Sequence, residues 1–114
     1  MKILQGTIMD NFLSSDKQPI REEQKEIIFS SPFSTIPHVL LTLERMDEGQ
    51  FIEKSFFQNE KGERIMHTVN RFDISAQNLS NTGFILNIKT WNQNLIYGYR
   101  ITWLAIGDDC ENSL

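Results

Sequence analysis

The sequence predicts an all-β fold, a six-stranded antiparallel β-sandwich, and three features carry that expectation. Apolar residues recur with period two over most of the chain, the repeat of a strand with one face turned inward. Clusters of Asn, Ser, Asp, Gly and Pro interrupt them every dozen residues or so, as turns do in an all-β domain. No segment of useful length places apolar residues at i, i+3, i+4 and i+7, the stripe of an amphipathic helix.

The elements follow in order. Leu4 to Met9 reads as the first strand. Asp10 to Gln24, which includes Ser14-Ser15-Asp16 and Pro19, reads as a long ordered loop. The cluster Arg21-Glu22-Glu23-Gln24-Lys25-Glu26 mixes signs, which marks solvated surface, a loop or the start of a strand. Glu26 to Phe29 begins the second strand. Pro32 and Pro37 bracket a connection, because proline cannot donate to a central ladder. Pro37 to Met46 is the third strand. Phe51 to Phe57 and Arg64 to Ile74 flank Asn59-Glu60-Lys61-Gly62, which has hairpin-turn chemistry. Gln77 to Thr82 is a turn. Gly83 to Thr90 and Leu95 to Ile106 are the last two strands, joined by Trp91-Asn92-Gln93-Asn94. One domain over 1–107 and an acidic, disordered tail over 108–114 complete the reading.

Alternation then assigns faces. Phe84, Leu86 and Ile88 share one side of their strand, while Asn87, Lys89 and Trp91 share the other. Trp91 therefore sits at a strand end on the polar side. Phe72 and Ile74 point inward, and Val69, Arg71 and Asp73 outward. In the final strand Tyr97, Tyr99, Ile101, Trp103 and Ala105 fall on one face, and Ile96, Leu104 and Ile106 on the other. Both faces want cover. One can meet the sandwich core; the other asks for a larger core or a neighbouring subunit, and an apolar patch of this kind favours the subunit.

The 114 residues, 39% hydrophobic, suit one domain with a thin core. A chain of this size buries about 65% of its unfolded surface, so self-association helps it. The net charge of −4 argues against nucleic acid or an anionic membrane, which need clustered Lys and Arg. The single cysteine, Cys110, allows no intrachain disulfide and fits a reducing compartment. Met1 to Met9 contains no apolar signal-peptide core, and no apolar run approaches the roughly 20 residues of a membrane helix. A soluble protein is expected, cytoplasmic or exported by a leaderless route.

Catalysis finds no support. The only histidines are His38 and His67, and no GxSxG, HExxH, CxxC or glycine-rich phosphate loop is present. Asp108-Asp109 lies in the tail, where no pocket can shift its pKa values. No enzyme activity, metal or cofactor is expected. What remains is an outward Trp91, an amide-rich turn, an outward Arg71, Tyr97 and a polar loop around Asp16. An aromatic face packs on the C–H patch of a pyranose, and carboxylates, amides and a guanidinium fork bond its hydroxyls. From spacing alone, the same residues fit equally a structural tryptophan at a hairpin end with an Arg71–Asp73 surface pair.

The order of the motifs adds a resemblance. Gln5-Gly6-Thr7-Ile8, Ile27 through Phe33, Pro37 through Leu43, Asp47, Thr82-Gly83-Phe84, Thr90-Trp91 and Ile101 through Gly107 together resemble the H-type lectin domain family. The match covers most of the chain outside two segments, and it is most specific from Thr82 to Gly107. The resemblance implies a sandwich that assembles as a trimer or as paired trimers. It also implies calcium-independent binding of galactose or N-acetylgalactosamine in clefts between subunits. By resemblance, Arg71 takes the place of an arginine that bonds ring hydroxyls, Trp91 that of the site tryptophan, and Asn92 the next position. Tyr97 matches a wall of the site. The family's loop aspartate falls on Gln18 without a gap, and on Asp16 after a two-residue shift. The stretch from Glu48 to Asn70 is longer than in snail members, so the Asn59 to Gly62 hairpin looks like an insertion. Two functions follow: a multivalent lectin, or a structural trimerisation module whose sugar site has degenerated.

Overall fold

The computed structural model describes residues 1–12, 20–50, 56–58, 64–66, 71–91 and 94–110. Among them are eight strands: β1 (Lys2–Asn11), β2 (Ile20–Ile28), β3 (His38–Gln50), β4 (Phe56–Gln58), β5 (Arg64–Met66), β6 (Phe72–Gln77), β7 (Gly83–Trp91) and β8 (Asn94–Gly107). Six of them form two antiparallel three-stranded sheets, in the orders β1-β8-β3 and β2-β7-β6, and β4 pairs with β5 as a separate hairpin. The expected six-stranded sandwich with an extra hairpin is what the chain forms. Among the described residues no helix is long and apolar enough to cross a membrane.

The core lies between the two three-stranded sheets. Phe84, Leu86 and Ile88 from β7 meet Ile101, Trp103 and Ala105 from β8, all buried. At one end four rings interlock: Phe29 lies 5.2 Å from Phe33 and 5.7 Å from Trp103, and Phe84 meets Trp103 edge-on at 5.8 Å. Two glycines of the family motif make this packing possible. A Cβ on Gly6 would stand 2.7 Å from the Trp103 indole, and one on Gly83 would stand 2.1 Å from the Ile27 carbonyl oxygen.

Three expectations are corrected. The strand containing Glu26 begins at Ile20, so Arg21 to Gln24 belong to β2 and not to a loop. Arg21 is buried at 4% exposure, although a mixed-charge run reads as surface. The charges alternate with the strand, so only every second one reaches solvent. The third correction concerns β8. Its register with β3 shifts between Asp47 and Glu48, where Gly98 pairs with Asp47 and Ile96 with Glu48. Tyr97 is the extra residue of this bulge, and a bulge re-aims side chains. Tyr97 is consequently 54% exposed, while Asn94 and Ile96 before it and Tyr99 after it are buried.

The chain is tied down as far as Cys110. Asp109 bridges to Phe33, the Ser34 amide donates to the Asp108 carbonyl at 3.0 Å, and Lys2 stands 3.6 Å from Asp109. Of the tail expected over 108–114, Asp108 to Cys110 are described with these contacts, and 111–114 lie outside the described residues.

Candidate functional site

The site expected around Trp91 sits at the end of the sandwich where β7 passes to β8. Trp91 ends β7, and Ile20 opposes it in β2. On the other side Phe72 opposes Thr90, a register that brings Arg71 alongside Trp91. Phe72 packs on the core, so by alternation Arg71 faces outward with Trp91. Both residues are half-buried. The next row down that outer face is charged: Glu22, Lys89 and Asp73, with Lys89 Nζ 3.9 Å from Glu22.

A buried polar cluster beneath this pair fixes its backbone. Thr90 Oγ1 donates to the Arg71 carbonyl at 2.6 Å. Asn94 Nδ2 donates to the same carbonyl at 3.2 Å and to Thr90 Oγ1 at 2.8 Å. Arg21 Nη2 donates to the Asn94 carbonyl at 2.8 Å. Thr90 and Asn94 are fully buried. Buried groups linked in this way hold one geometry, because leaving any of them unpaired costs about 1–3 kcal/mol. Four strands thereby converge: Arg21 of β2, the start of β6, Thr90 of β7 and Asn94 of β8.

The sequence brings Arg71 and Trp91 together as expected, but not Tyr97. That residue projects from the outer face of the β1-β8-β3 sheet, and Trp91 from the outer face of the other. Facing sheets pack about 10 Å apart, and the two side chains point away from each other. Asp16, Gln18 and Asn92 lie outside the described residues. Sequence reasoning missed Arg21, Thr90 and Asn94 as the support of the site. The only signal was Asn94 inside the amide-rich turn.

Two titrating groups lie near this end, on the β1 side. Asp10 accepts from Lys25 Nζ at 2.6 Å; that hydrogen bond, with the Asn11 amide and the charge of Lys25, lowers its pKa below the usual value. Burial pushes Tyr99 up to about 12, with Asp10 and Glu23 adding to the shift. Neither group suggests acid–base chemistry at neutral pH. Among the described residues no cluster of His, Cys, Asp or Glu could hold a metal.

With that geometry in place, comparison with known proteins decides the family. The model of the H-type lectin domain matches residues 24–106. The chain belongs to the H-type lectin domain family. That family is non-catalytic and its domain binds carbohydrate, so the partners it implies are glycans. A Fuscovulum blasticum protein, ATP synthase subunits region ORF 7, is 31% identical over 87 residues, which are 76% of this chain and 62% of that protein. The chain thus spans 62% of the length of this curated relative. Two structures of discoidin II from Dictyostelium discoideum share the fold at 19% identity. The recombinant protein has a TM-score of 0.69 over 93% of this chain and 36% of its own, and the wild-type protein 0.70 over 95% and 37%.

Proposed function

We propose that this lectin domain binds galactose or N-acetylgalactosamine, without calcium, in clefts between the subunits of a trimer or of paired trimers. The observation that carries the reading is the Trp91–Arg71 pair, outward and side by side over a buried hydrogen-bonded support. The indole supplies a face for the apolar side of the pyranose, and the guanidinium forks across vicinal hydroxyls. Asn92 and Asp16 are the turn and loop contributors, with Gln18 as the alternative to Asp16. Tyr97 faces away from Trp91 in its own chain, so it reaches the same sugar only from a neighbouring copy. That arrangement suits a cleft shared between subunits.

The outer face of the β1-β8-β3 sheet is the candidate contact between copies. Ile3 opposes Ile106, Gln5 opposes Leu104, and Leu40 opposes Leu104 from the other side. Ile3 and Leu40 are more than half exposed, as is Ile36 nearby in sequence. Exposed apolar patches of this kind mark contact surfaces. A trimer also makes weak single sites useful, since simultaneous engagement multiplies avidity by about 10² or more.

A glycan array tests the reading. The wild-type protein should give galactose-type hits, and Trp91→Ala and Arg71→Ala should each abolish them while the oligomer survives. Normal binding by both variants contradicts the site. Silence of the wild type across all sugars favours the trimerisation module.

A further inference from the structure

Of the four edge strands of the two sheets, β1 is the one suited to pairing. Its ladder with β8 runs unbroken from Lys2 opposite Gly107 to Asn11 opposite Gly98. β3, the other edge of that sheet, shifts register twice, and such breaks turn an edge away from pairing. β6 is only six residues long. Among the described residues no strand pairs with the outer side of β1. The Phe12 amide donates to the Tyr97 carbonyl at 3.0 Å, one step beyond Asn11 opposite Gly98. Residues of an antiparallel ladder face their partner alternately, so Phe12 and the even-numbered residues of β1 face β8. Ile3, Gln5, Thr7 and Met9 therefore turn their N–H and C=O groups to the open side.

The sequence of this edge complements itself. Laid antiparallel on the β1 of a second copy, with Gly6 against Gly6, it sets Lys2 opposite Asp10, Ile3 opposite Met9, Leu4 opposite Ile8 and Gln5 opposite Thr7. Residues directly opposite share a face. On the outer face the apolar pair is Ile3 and Met9, 53% and 63% exposed in the single chain. On the inner face it is Leu4 and Ile8, both packed on the core. Unlike charges close the two ends of the seam. Lys2 already meets Pro32 and Asp109 in its own chain, and Asp10 meets Lys25, so across the seam they match sign and add no further bond. A slide of two residues would set Leu4 against Asp10 or Lys2 against Ile8, which fixes the register. β2 lacks this property. Centred in the same way on Gln24, it sets Glu22 against Glu26, like charges that repel.

We infer that the open edge of β1 pairs with the β1 of a second copy about a two-fold axis, joining two β1-β8-β3 sheets into one. Main-chain hydrogen bonds supply the attachment, as in other strand additions, and the side-chain pairs set its register. The occupant is a copy of this chain because a two-fold contact needs a patch that complements itself, and β1 is such a patch. The contact uses the edge of the sheet and not its face. It rests neither on the sugar site at Trp91 nor on the outer-face contact around Leu40.

The test joins light scattering to cross-linking of mixed chains, with no sugar present. Gln5→Pro removes an amide that faces the open side and leaves the β8 ladder its donors, so the mass should halve while the circular dichroism stays that of the sandwich. The cross-link is read in a Cys110→Ser background, because Cys110 is an exposed free thiol. Ile3→Cys and Met9→Cys chains, mixed and mildly oxidised, should give a disulfide-linked dimer, since such opposed residues stand about 5.5 Å apart at Cα. Neither variant alone should, because its two thiols lie at opposite ends of the seam. Adding Leu40→Lys, which charges the outer face and spares the edge, should leave the cross-link in place. A monomeric wild type, an unchanged mass in a folded Gln5→Pro, or mixed chains that link no better than either variant alone would overturn the pairing. Loss of the cross-link with Leu40→Lys would also overturn it, by assigning the contact to the face.

Discussion

The two outer faces of the sandwich are built from the same repeat and serve opposite ends. On the β2-β7-β6 face the middle rows are polar: Glu22, Lys89 and Asp73, then Gln24, Asn87 and Ser75, and the exposed Ile20 and Ile28 stand at the two ends of its edge strand. Only at the edge of that face does an aromatic residue appear, Trp91, between Ile20 and Arg71. On the β1-β8-β3 face the rows grade from apolar, Ile3 beside Ile106, through the threonines Thr7, Thr102 and Thr42, to charged Arg100 and Arg45 and the row of Asn11, Gly98 and Asp47. Thr102 donates to Glu44, and Arg100 stands 3.8 Å from the same carboxylate. A face polar along its middle, with one aromatic edge, suits a hydroxylated ligand. A face half apolar suits another protein surface.

Charging the apolar half is the most drastic way to break this contrast. If copies associate through this face as proposed, Ile3→Lys with Leu40→Lys should give a monomer in light scattering where the wild type gives an oligomer, and leave the circular dichroism of the sandwich unchanged. An unchanged mass would move the contact elsewhere.

The next largest effect falls on the support of the polar edge. Asn94→Ala removes the donor to the Arg71 carbonyl and to Thr90 inside the core, so it should cost about 2–3 kcal/mol in urea unfolding. It should also weaken sugar binding, because Arg71 loses its fixed backbone. A stable variant that binds normally would show that the cluster does not position the site.

Tyr99 reports on the inner side of β8. Its pKa is about 12 in the fold against 10.0 for the free group. The unfolded chain therefore ionises first. The contribution is complete below pH 10 and disappears as pH rises to 12, about 2–3 kcal/mol over that window. Tyr99→Phe should flatten the alkaline loss. Its cost at pH 7 should be small, since the Tyr99 hydroxyl has no hydrogen-bond partner among the described residues.

The smallest effect belongs to the exposed Asp10–Lys25 pair. The fold lowers the pKa of Asp10, so its contribution is present above the unfolded value of 3.8 and is lost as pH falls through the folded one. Solvent and salt screen it. Asp10→Asn should change the acid limb of the stability curve only slightly, and less in high salt.

Much of this was legible in the sequence. Period two located the inward faces of β7 and of most of β8, and the turn-forming residue types from Asn59 to Gly62, which lie outside the described residues, announced the β4–β5 pairing. What escaped has physical reasons. A β-bulge leaves no mark in the alternation of types, so Tyr97 was assigned to the wrong face. Buried Arg21 was hidden because a charge alternating along a strand looks the same whether it meets water or a carbonyl. The cluster of Arg21, Thr90 and Asn94 joins three strands, and no local window contains it. The register sets Arg71 alongside Trp91, whereas Asp16 and Asn92 lie outside the described residues.

The protein offers a direct test with its own control. It has two tryptophans: Trp91 at the polar edge, and Trp103 in the core with 7% exposure. Titrating galactose or N-acetylgalactosamine while following both indole N–H resonances by NMR reads the two regions at once. The account predicts that the Trp91 signal shifts and saturates while Trp103 stays in place. A still Trp91 at saturating sugar, or equal movement of both, would contradict it.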